Sequence, residues 1–225
     1  MGIVGRNRLS DSLLSPALGE LFDRFPNLAL KPSRSGELAL SGELGFSVTD
    51  TELGIIQDSF AIDIRVPKNF PSGLPTVREL AGRIPNTFHK LTDGTLCLGS
   101  PFRLRAKLRQ ASTVLGYIES CVVPYLFSYS VFEKTGRMPF GELEHGPRGL
   151  LDEYRQVIGI ADDAACLSFL KLLGIKKRVA NKLPCPCGSN LRVGRCHNRK
   201  LNGIRGIASR AWFRGAAYQI RSSRS

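Results

Sequence analysis

The most informative stretch of the chain spans residues 84 to 101 and reads Ile-Pro-Asn-Thr-Phe-His-Lys-Leu-Thr-Asp-Gly-Thr-Leu-Cys-Leu-Gly-Ser-Pro. Its cysteine, Cys97, stands between two leucines just after an Asp-Gly turn. Asn86, His89 and Asp93 precede it closely enough to reach it by hydrogen bonds. Turn residues of this kind fix the local backbone, and an accessible thiolate in such a loop is a nucleophile. The stretch therefore predicts a reactive cysteine loop.

Length and composition favour a globular protein. A chain of 225 residues with 42% hydrophobic side chains suits one domain with an appendage, or two small domains. No apolar run approaches the length that crosses a bilayer, and the start of the chain lacks a signal-peptide core. We therefore expect a cytoplasmic protein with no membrane partner. Cys97, Cys121 and Cys166 are dispersed along the chain, which is typical of a reducing compartment.

The charge is concentrated at one end of the chain. Residues 171 to 225 hold fourteen Lys or Arg and no Asp or Glu, whereas the other 170 residues hold 18 basic and 19 acidic side chains. The larger part of the chain is therefore not expected to bind nucleic acid. The basic end could contact nucleic acid or an acidic partner.

Hydrophobic periodicity predicts an α+β fold. Helical spacing predicts helices over residues 10–25, 102–129 with a break near Pro124, 150–158, and 162–173 with Gly174 as the C-cap. Strand patterns are predicted over residues 37–40, 42–48, 59–66 and 76–80. Cys121 and Cys166 fall on the apolar faces of helices and are interpreted as core residues. A loop over 136–148 contains His145, interpreted as a surface residue.

Three short elements resemble motifs of the ubiquitin-conjugating enzymes. They are Phe70-Pro71 with Leu74-Pro75, Pro85-Asn86, and Gly94-Thr95-Leu96-Cys97-Leu98. The resemblance covers roughly residues 10 to 130 and is closest to the divergent bacterial conjugating-enzyme-like proteins of ubiquitin-like and antiphage operons. It implies an N-terminal helix, a four-stranded antiparallel meander and C-terminal helices. The chain departs from the pattern at Ile84, which replaces a histidine, and in the eleven-residue step from Asn86 to Cys97.

The resemblance implies a transferase. Cys97 would accept the C-terminal carboxyl of a ubiquitin-like modifier, or of another partner protein, from an activating enzyme, and a target amine would then attack the thioester. Asn86 or His89 would donate to the oxyanion, and Asp93 would orient or deprotonate the amine. No nucleotide-binding loop is recognisable, so a separate activating protein is expected.

Each of these residues also has a structural interpretation. Pro-Asn and Asp-Gly pairs are ordinary turn formers, so Asn86 and Asp93 could serve the turns alone. His89 could cap backbone groups of the loop, and Cys97 could be a buried core residue between its leucines. A conjugating fold without chemistry, acting as a binding adaptor for protein, ribosome or nucleic acid, is the alternative function.

A second motif indicates a metal site. Cys185, Cys187, Cys196 and His197 fall within thirteen residues, as a Cys-x-Cys pair and a Cys-His pair separated by an eight-residue loop. Three thiolates and one imidazole fill the four positions of tetrahedral Zn²⁺, which is typical of a structural site. The stretch resembles the SEC-C motif, first described at the end of the SecA translocase, and this implies a knuckle that binds protein or ribosome surfaces.

These assignments divide the chain into four parts. We expect a conjugating-enzyme-like domain over 8–135, a loop and helical linker over 136–180, a zinc knuckle over 181–202 and a basic tail over 203–225. Ile204, Trp212 and Phe213 are among the apolar residues scattered through the tail arginines. The tail could pack on the body, bind RNA or an acidic partner, or remain solvated.

Overall fold

The computed structural model describes residues 11–33, 36–139 and 146–222. The chain forms two compact units, Met1–Gly141 and Glu142–Ser225. The first unit combines helices with a four-stranded antiparallel sheet, which confirms the α+β class and the antiparallel sheet. The second unit is helical where it is described, apart from a short hairpin that carries the cysteine cluster.

The sheet is a meander in which sequential strands are neighbours. Its strands are β1 Leu28–Lys31, β2 Leu38–Asp50, β3 Gly54–Val66 and β4 Thr76–Glu79. The predicted strands over 59–66 and 76–80 are confirmed, although β3 starts earlier than expected. The peptide bond between Phe70 and Pro71, in the connection before β4, is cis.

The expectation of two separate strands over 37–40 and 42–48 is wrong, because β2 runs without interruption through Gly42. Gly42 pairs with Leu28 of β1, and its φ of 148° is accessible to glycine. A Cβ at this position would lie 2.0 Å from the Asn27 carbonyl oxygen. The glycine therefore allows the start of β1 to approach β2. Sequence patterns missed β1 because its residues do not alternate between buried and exposed positions: Leu28 is buried and the next three residues are exposed.

One hydrophobic core holds the first unit together. The inward side chains of the strands pack against helix α1, Asp11–Arg24, and against the helices that follow the sheet. This agrees with the helix predicted over 10–25, of which Ser10 lies outside the described residues. Fully buried members of the core are Leu21, Leu40, Leu44, Ile62, Ile64, Ile118, Val122 and Leu126.

Near Pro124, where a helical break was predicted, the type of helix changes from π to α while the chain stays helical. After α2, Pro101–Leu108, the chain is irregular over residues 109–113 and then helical from α3, Val114–Tyr117, through a π-helical segment, Ile118–Val122, to α4, Val123–Thr135. The Val123 N–H bonds to the Ile118 carbonyl, five residues back. Pro124 has no N–H for the Ser120 carbonyl, which instead accepts a hydrogen bond from Lys107 Nζ at 2.7 Å.

This long helix corrects a further expectation. Val114–Thr135 spans 22 residues with a mean hydropathy of 1.2, so its length and composition are sufficient to cross a membrane. However, 61% of the apolar window is buried inside the structure, as in the core helix of a soluble protein. Its apolar character is explained by its place in the core of the first unit.

The helices of the second unit are α5 Gly146–Ile158, α6 Asp163–Leu173, α7 Lys177–Ala180, α8 Asn198–Arg205 and α9 Arg210–Ser222. The helices predicted over 150–158 and 162–173 are confirmed, and the first begins four residues earlier. Asp162 caps α6 by accepting from the Ala165 N–H at 2.6 Å. Gly174 is the C-cap with a right-handed φ of −71°, and a Cβ there would lie 2.7 Å from Arg214 Cγ.

The basic end of the chain is folded through residue 222. Phe213 and Ile220 of α9 are buried, and Trp212 Nε1 donates to the Tyr154 hydroxyl of α5 at 3.0 Å. The structure therefore differs from the expected division into linker, knuckle and tail, because α5, α6 and α9 belong to one compact unit. The amphipathic pattern of α9 supplies the apolar contacts that hold the tail. His145 lies outside the described residues.

An ion-pair network holds the loop that leads from β4 towards Cys97. Arg83 donates two hydrogen bonds to the Asp58 carboxylate, both at 2.8 Å, and two to Glu133, at 2.6 Å and 3.2 Å. Ser130 Oγ donates to Asp58 at 2.6 Å. Burial alone would raise the pKa of Asp58, but hydrogen bonds from Arg83 and Ser130 outweigh burial and lower the pKa to about 2.

This network predicts a pH-dependent contribution to stability. Because the folded pKa of Asp58 lies below its usual value near 4, its contribution is present above about pH 4 and lost as the pH falls towards 2. We expect Asp58→Asn to lower the free energy of unfolding by about 2 kcal/mol at pH 7 and by much less near pH 2.5. Urea unfolding at both pH values measures this. Glu52→Gln, at an exposed position, is the control, and a pH-independent difference for Asp58→Asn would contradict the assignment.

Candidate functional site

The cysteine loop is built on a small hairpin. Lys90 and Leu96 form an antiparallel bridge, and the Leu91 N–H bonds to the Thr95 carbonyl at 2.8 Å. Gly94, at the tip, has a φ of 81° that a side chain would disfavour. Residues 90 to 96 therefore return the chain on itself and deliver Cys97 beside the segment that precedes the hairpin.

Backbone hydrogen bonds fix Cys97 in place. Its N–H donates to the His89 carbonyl at 2.7 Å, and the N–H of Leu96 donates to Val77 of β4 at 2.8 Å. Leu96 is 5% exposed, whereas Cys97 is partly exposed. The cysteine therefore sits at the boundary between the core and solvent, on a backbone attached to the sheet.

Tyr125 of α4 also holds the same loop, through hydrogen bonds from its hydroxyl. Its hydroxyl donates to the carbonyls of Phe88, at 3.0 Å, and His89, at 3.2 Å. Burial and the nearby Cys97 both raise the pKa of Tyr125, so the hydroxyl keeps the proton that it donates. Sequence reasoning missed this residue, because its only signal is its place on a helix far along the chain.

Of the other predicted catalytic residues, only His89 contacts Cys97 by a hydrogen bond, which runs from the Cys97 N–H to the His89 carbonyl. His89 has a positive φ of 39°, and its carbonyl is the group that accepts from the Cys97 N–H. The His89 ring packs against the Phe88 ring, with 5.3 Å between the ring centroids. Asn86 is exposed in the preceding turn, where the Phe88 N–H bonds to the Pro85 carbonyl. Asn86 therefore belongs to a different turn from the one that delivers Cys97.

The Asp93 carboxylate accepts hydrogen bonds from within its own turn. Its Oδ1 accepts from the Thr95 hydroxyl at 2.6 Å and from the Thr95 N–H at 2.9 Å. These hydrogen bonds from Thr95 lower the pKa of Asp93. A carboxylate with a lowered pKa is a weaker base, so this geometry favours orientation of an amine over its deprotonation.

A buried ion pair that sequence reasoning missed lies under the loop. Lys90 Nζ is 3.9 Å from Glu79 Oε2, with the two side chains 9% and 1% exposed. Lys90 also donates to the Ile84 carbonyl, and Glu79 accepts from the N–H groups of Ala81 and Ile84. Glu79 has the same strand parity as Val77, which faces the core. That parity is the signal that could have identified a buried carboxylate.

Two other thiols are core residues, as predicted. Cys121 is 2% and Cys166 is 0% exposed. Burial raises the pKa of Cys121, and it raises the pKa of Cys166 to about 11. Both side chains therefore remain protonated and unreactive at neutral pH.

The four residues of the second motif form a cluster that could hold a metal ion. Their ligand atoms all lie within 4.8 Å of one another. His197 Nδ1 lies 3.2 Å from Cys185 Sγ and 3.1 Å from Cys196 Sγ, and Cys187 Sγ lies 3.4 Å and 3.5 Å from the other two sulfurs. These separations are far longer than a disulfide of about 2.05 Å and close to the roughly 3.8 Å between thiolates on a tetrahedral ion.

A second hairpin presents these ligands. Pro184 and Arg192 form an antiparallel bridge, and the Cys185 N–H bonds to the Leu191 carbonyl at 2.8 Å. Gly188 and Asn190 turn the loop with positive φ values of 78° and 57°. The predicted donor set of three sulfurs and one imidazole nitrogen is therefore assembled by local backbone geometry and is compatible with zinc.

Comparison of the chain with protein-family models, curated proteins and solved structures finds no match. The function of the two sites is therefore argued from their own chemistry. The first site is a partly exposed thiol on a hydrogen-bonded loop, and the second is a four-ligand Cys/His cluster.

The difference in exposure among the thiols predicts their order of alkylation. We expect iodoacetamide at pH 8 to modify Cys97 at least about tenfold faster than Cys121 or Cys166 in the native protein, because buried thiols are inaccessible and protonated. Peptide mass spectrometry over time measures the rates. Protein unfolded in guanidinium serves as the control, in which the three thiols react alike. Equal protection of all three thiols in the native state would contradict an accessible Cys97.

Proposed function

We propose that the first unit is a ubiquitin-conjugating-enzyme-like transferase that carries an acyl group on Cys97. The observation that carries the proposal is a partly exposed cysteine whose backbone N–H is hydrogen-bonded to the His89 carbonyl. This cysteine follows a four-stranded antiparallel meander in the chain and precedes a set of helices. The order of elements matches the one implied by the resemblance of residues 10 to 130. The acyl group is the C-terminus of a ubiquitin-like modifier or of another partner protein.

The proposed reaction has two steps. The Cys97 thiolate attacks the activated carboxyl carbon, forms a carbon–sulfur bond and expels the thiolate of an activating-enzyme-like partner. A target amine then attacks the same carbon, the carbon–sulfur bond breaks, and the amine proton leaves to solvent or a nearby base. The thioester is already activated, so the enzyme chiefly positions the amine and stabilises the oxyanion.

The residues near Cys97 in sequence or in the fold have different roles in this proposal. His89, bonded to Cys97 through the backbone, or Asn86, exposed in the preceding turn, donates to the oxyanion. Asp93 attracts and orients the amine, since its hydrogen bonds from Thr95 make it a weak base. Tyr125 is a positioning residue that holds the loop.

The second unit contributes a structural zinc knuckle in this proposal. Cys185, Cys187, Cys196 and His197 fill all four positions of Zn²⁺ and leave none for water or substrate. The basic loop between the pairs, with Arg192 and Arg195, offsets the charge of three thiolates. The pattern is similar to the SEC-C motif and implies contact with protein or ribosome surfaces.

The cellular setting follows from the same chemistry. The six cysteines are unpaired, which fits the reducing cytoplasm and the maintenance of a reactive thiol. A separate activating-enzyme-like protein would supply the acyl group, as in the bacterial ubiquitin-like and antiphage operons to which the resemblance points.

One observation favours a second candidate, a binding adaptor that keeps the fold without the chemistry. Ile84, which stands where the resembling motif has a histidine, is 1% exposed and belongs to the core. Asp93 is also occupied by its own turn. In this candidate the first unit binds the modifier non-covalently.

The transferase proposal predicts a covalent adduct. We expect the chain, expressed together with the genes that flank its own, to carry a protein adduct on Cys97 that is cleaved by dithiothreitol. Cys97→Ala should abolish it, and Cys97→Ser should retain a thiol-resistant oxyester. Intact-mass measurement and peptide mapping locate the adduct. Cys166→Ala, which removes a thiol elsewhere, is the matched control and should behave as wild type. A co-purified but non-covalent partner would instead establish the adaptor.

The knuckle proposal predicts one zinc ion per chain. Cys196→Ser should lose the ion and destabilise the second unit, because apparent binding energies of structural zinc reach about 10–16 kcal/mol. Native mass spectrometry measures the stoichiometry, and thermal unfolding measures the loss. Leu191→Ala, which truncates a side chain that is 47% exposed on the same loop, should keep the ion. Full folding of the zinc-free variant would contradict a structural role.

A further inference from the structure

The described part of the second unit, residues 146–222, is strongly cationic. It holds fifteen Lys or Arg against four Asp or Glu, a formal charge of +11. Asp152 and Asp163 both lie against Arg155, at 3.0 Å and 3.4 Å, and Asp162 caps α6. Glu153 is buried. The acidic groups therefore all belong to α5 and the start of α6, and residues 164–222 contain no Asp or Glu.

Arginines of α8 and α9 converge on the opposite end of α6. Arg205 Nη2 donates to the Leu172 carbonyl and Arg214 Nη1 to the Gly174 carbonyl, both at 2.8 Å. Cations at a helix C-terminus are favoured by the helix dipole. Lys171 and Lys176, exposed on either side of Gly174, add two further charges at this end. The fold thus gathers cations that are separated in sequence.

Helix α9 extends this charge as a stripe. Arg210, Arg214, Tyr218 and Arg221 are exposed at helical spacing of four, four and three residues, so they share one face. The opposite face carries the buried Phe213, Ala216 and Ile220. Tyr218 is 73% exposed, so its ring is accessible to solvent on the same helix face as the three arginines. We call these four residues the α9 stripe.

We propose that the α9 stripe binds the phosphate backbone of single-stranded nucleic acid. Guanidinium groups pair with phosphate oxygens, and an exposed aromatic ring stacks on a base without selecting it. Carboxylates would satisfy the arginines but not the ring, so the combination favours nucleic acid over an acidic protein. This inference goes beyond the transferase activity and does not depend on Cys97.

Fluorescence anisotropy with the full-length protein tests the proposal. The probes are a labelled 20-nucleotide oligo(U) RNA, the matching oligo(dT) DNA and a 20-base-pair duplex. We expect both single strands to bind, and the ratio of their two affinities shows whether the surface prefers RNA or DNA. The association constant should fall with salt with a log–log slope of about −2 or steeper, from roughly 0.7 per phosphate contact and three arginines.

Matched variants locate the surface. Arg210→Glu/Arg221→Glu should weaken oligo(U) binding at least about tenfold, since two phosphate contacts become repulsive. Lys31→Glu/Lys134→Glu changes the total charge equally on exposed residues of the first unit, and binding should stay within about twofold. Tyr218→Ala should weaken single-strand binding about fivefold or more and leave duplex binding unchanged. Circular dichroism and zinc content verify that each variant is folded.

Several outcomes would overturn the proposal. Equal losses in the two charge-reversal variants would mean attraction to net charge and no specific surface. Failure of wild type to bind either single strand at 50 mM salt would exclude it directly. Two results together would assign the α9 stripe to an acidic protein instead. Poly(aspartate) would displace bound oligo(U) at equal charge concentration, and Tyr218→Ala would bind oligo(U) as tightly as wild type does.

Discussion

One backbone hydrogen bond, from the Cys97 N–H to the His89 carbonyl, fixes the loop on which the proposed chemistry depends. It is 2.7 Å long, and the same carbonyl accepts from the Tyr125 hydroxyl at 3.2 Å. Because the loop backbone is satisfied by the protein, the partly exposed thiol is held in place without being buried. A nucleophile that is positioned before its substrate arrives avoids the entropic cost of ordering it during the reaction.

Sequence patterns predicted most of what local geometry determines. A short hairpin brings together Cys185, Cys187, Cys196 and His197, so their spacing was sufficient to predict a cluster that could hold a metal ion. The antiparallel sheet also followed from alternation of apolar residues. Both features depend on residues that are near one another in the chain.

Features that depend on distant contacts were missed or wrong. The predicted interruption between residues 40 and 42 is absent, and Gly42 is instead the position where β1 approaches β2. Pro124 looked like a helix break, but a π-helical turn and Lys107 compensate for its missing N–H. Tyr125 lies 36 residues from His89 in sequence, so no local pattern relates it to the cysteine loop. Arginines at the end of α6 are likewise united only by the fold.

The proposed chemistry depends most on a preformed Cys97 loop, and amide hydrogen exchange of Leu96 and Cys97 tests this most directly. Both N–H groups donate hydrogen bonds, to the carbonyls of Val77 and His89 respectively. We expect NMR at neutral pH to find both amides exchanging at least about a hundredfold more slowly than in an unstructured peptide, with protection of Cys97 reduced by Tyr125→Phe. Exchange of both amides at the unstructured rate would contradict a loop that is built before any partner binds.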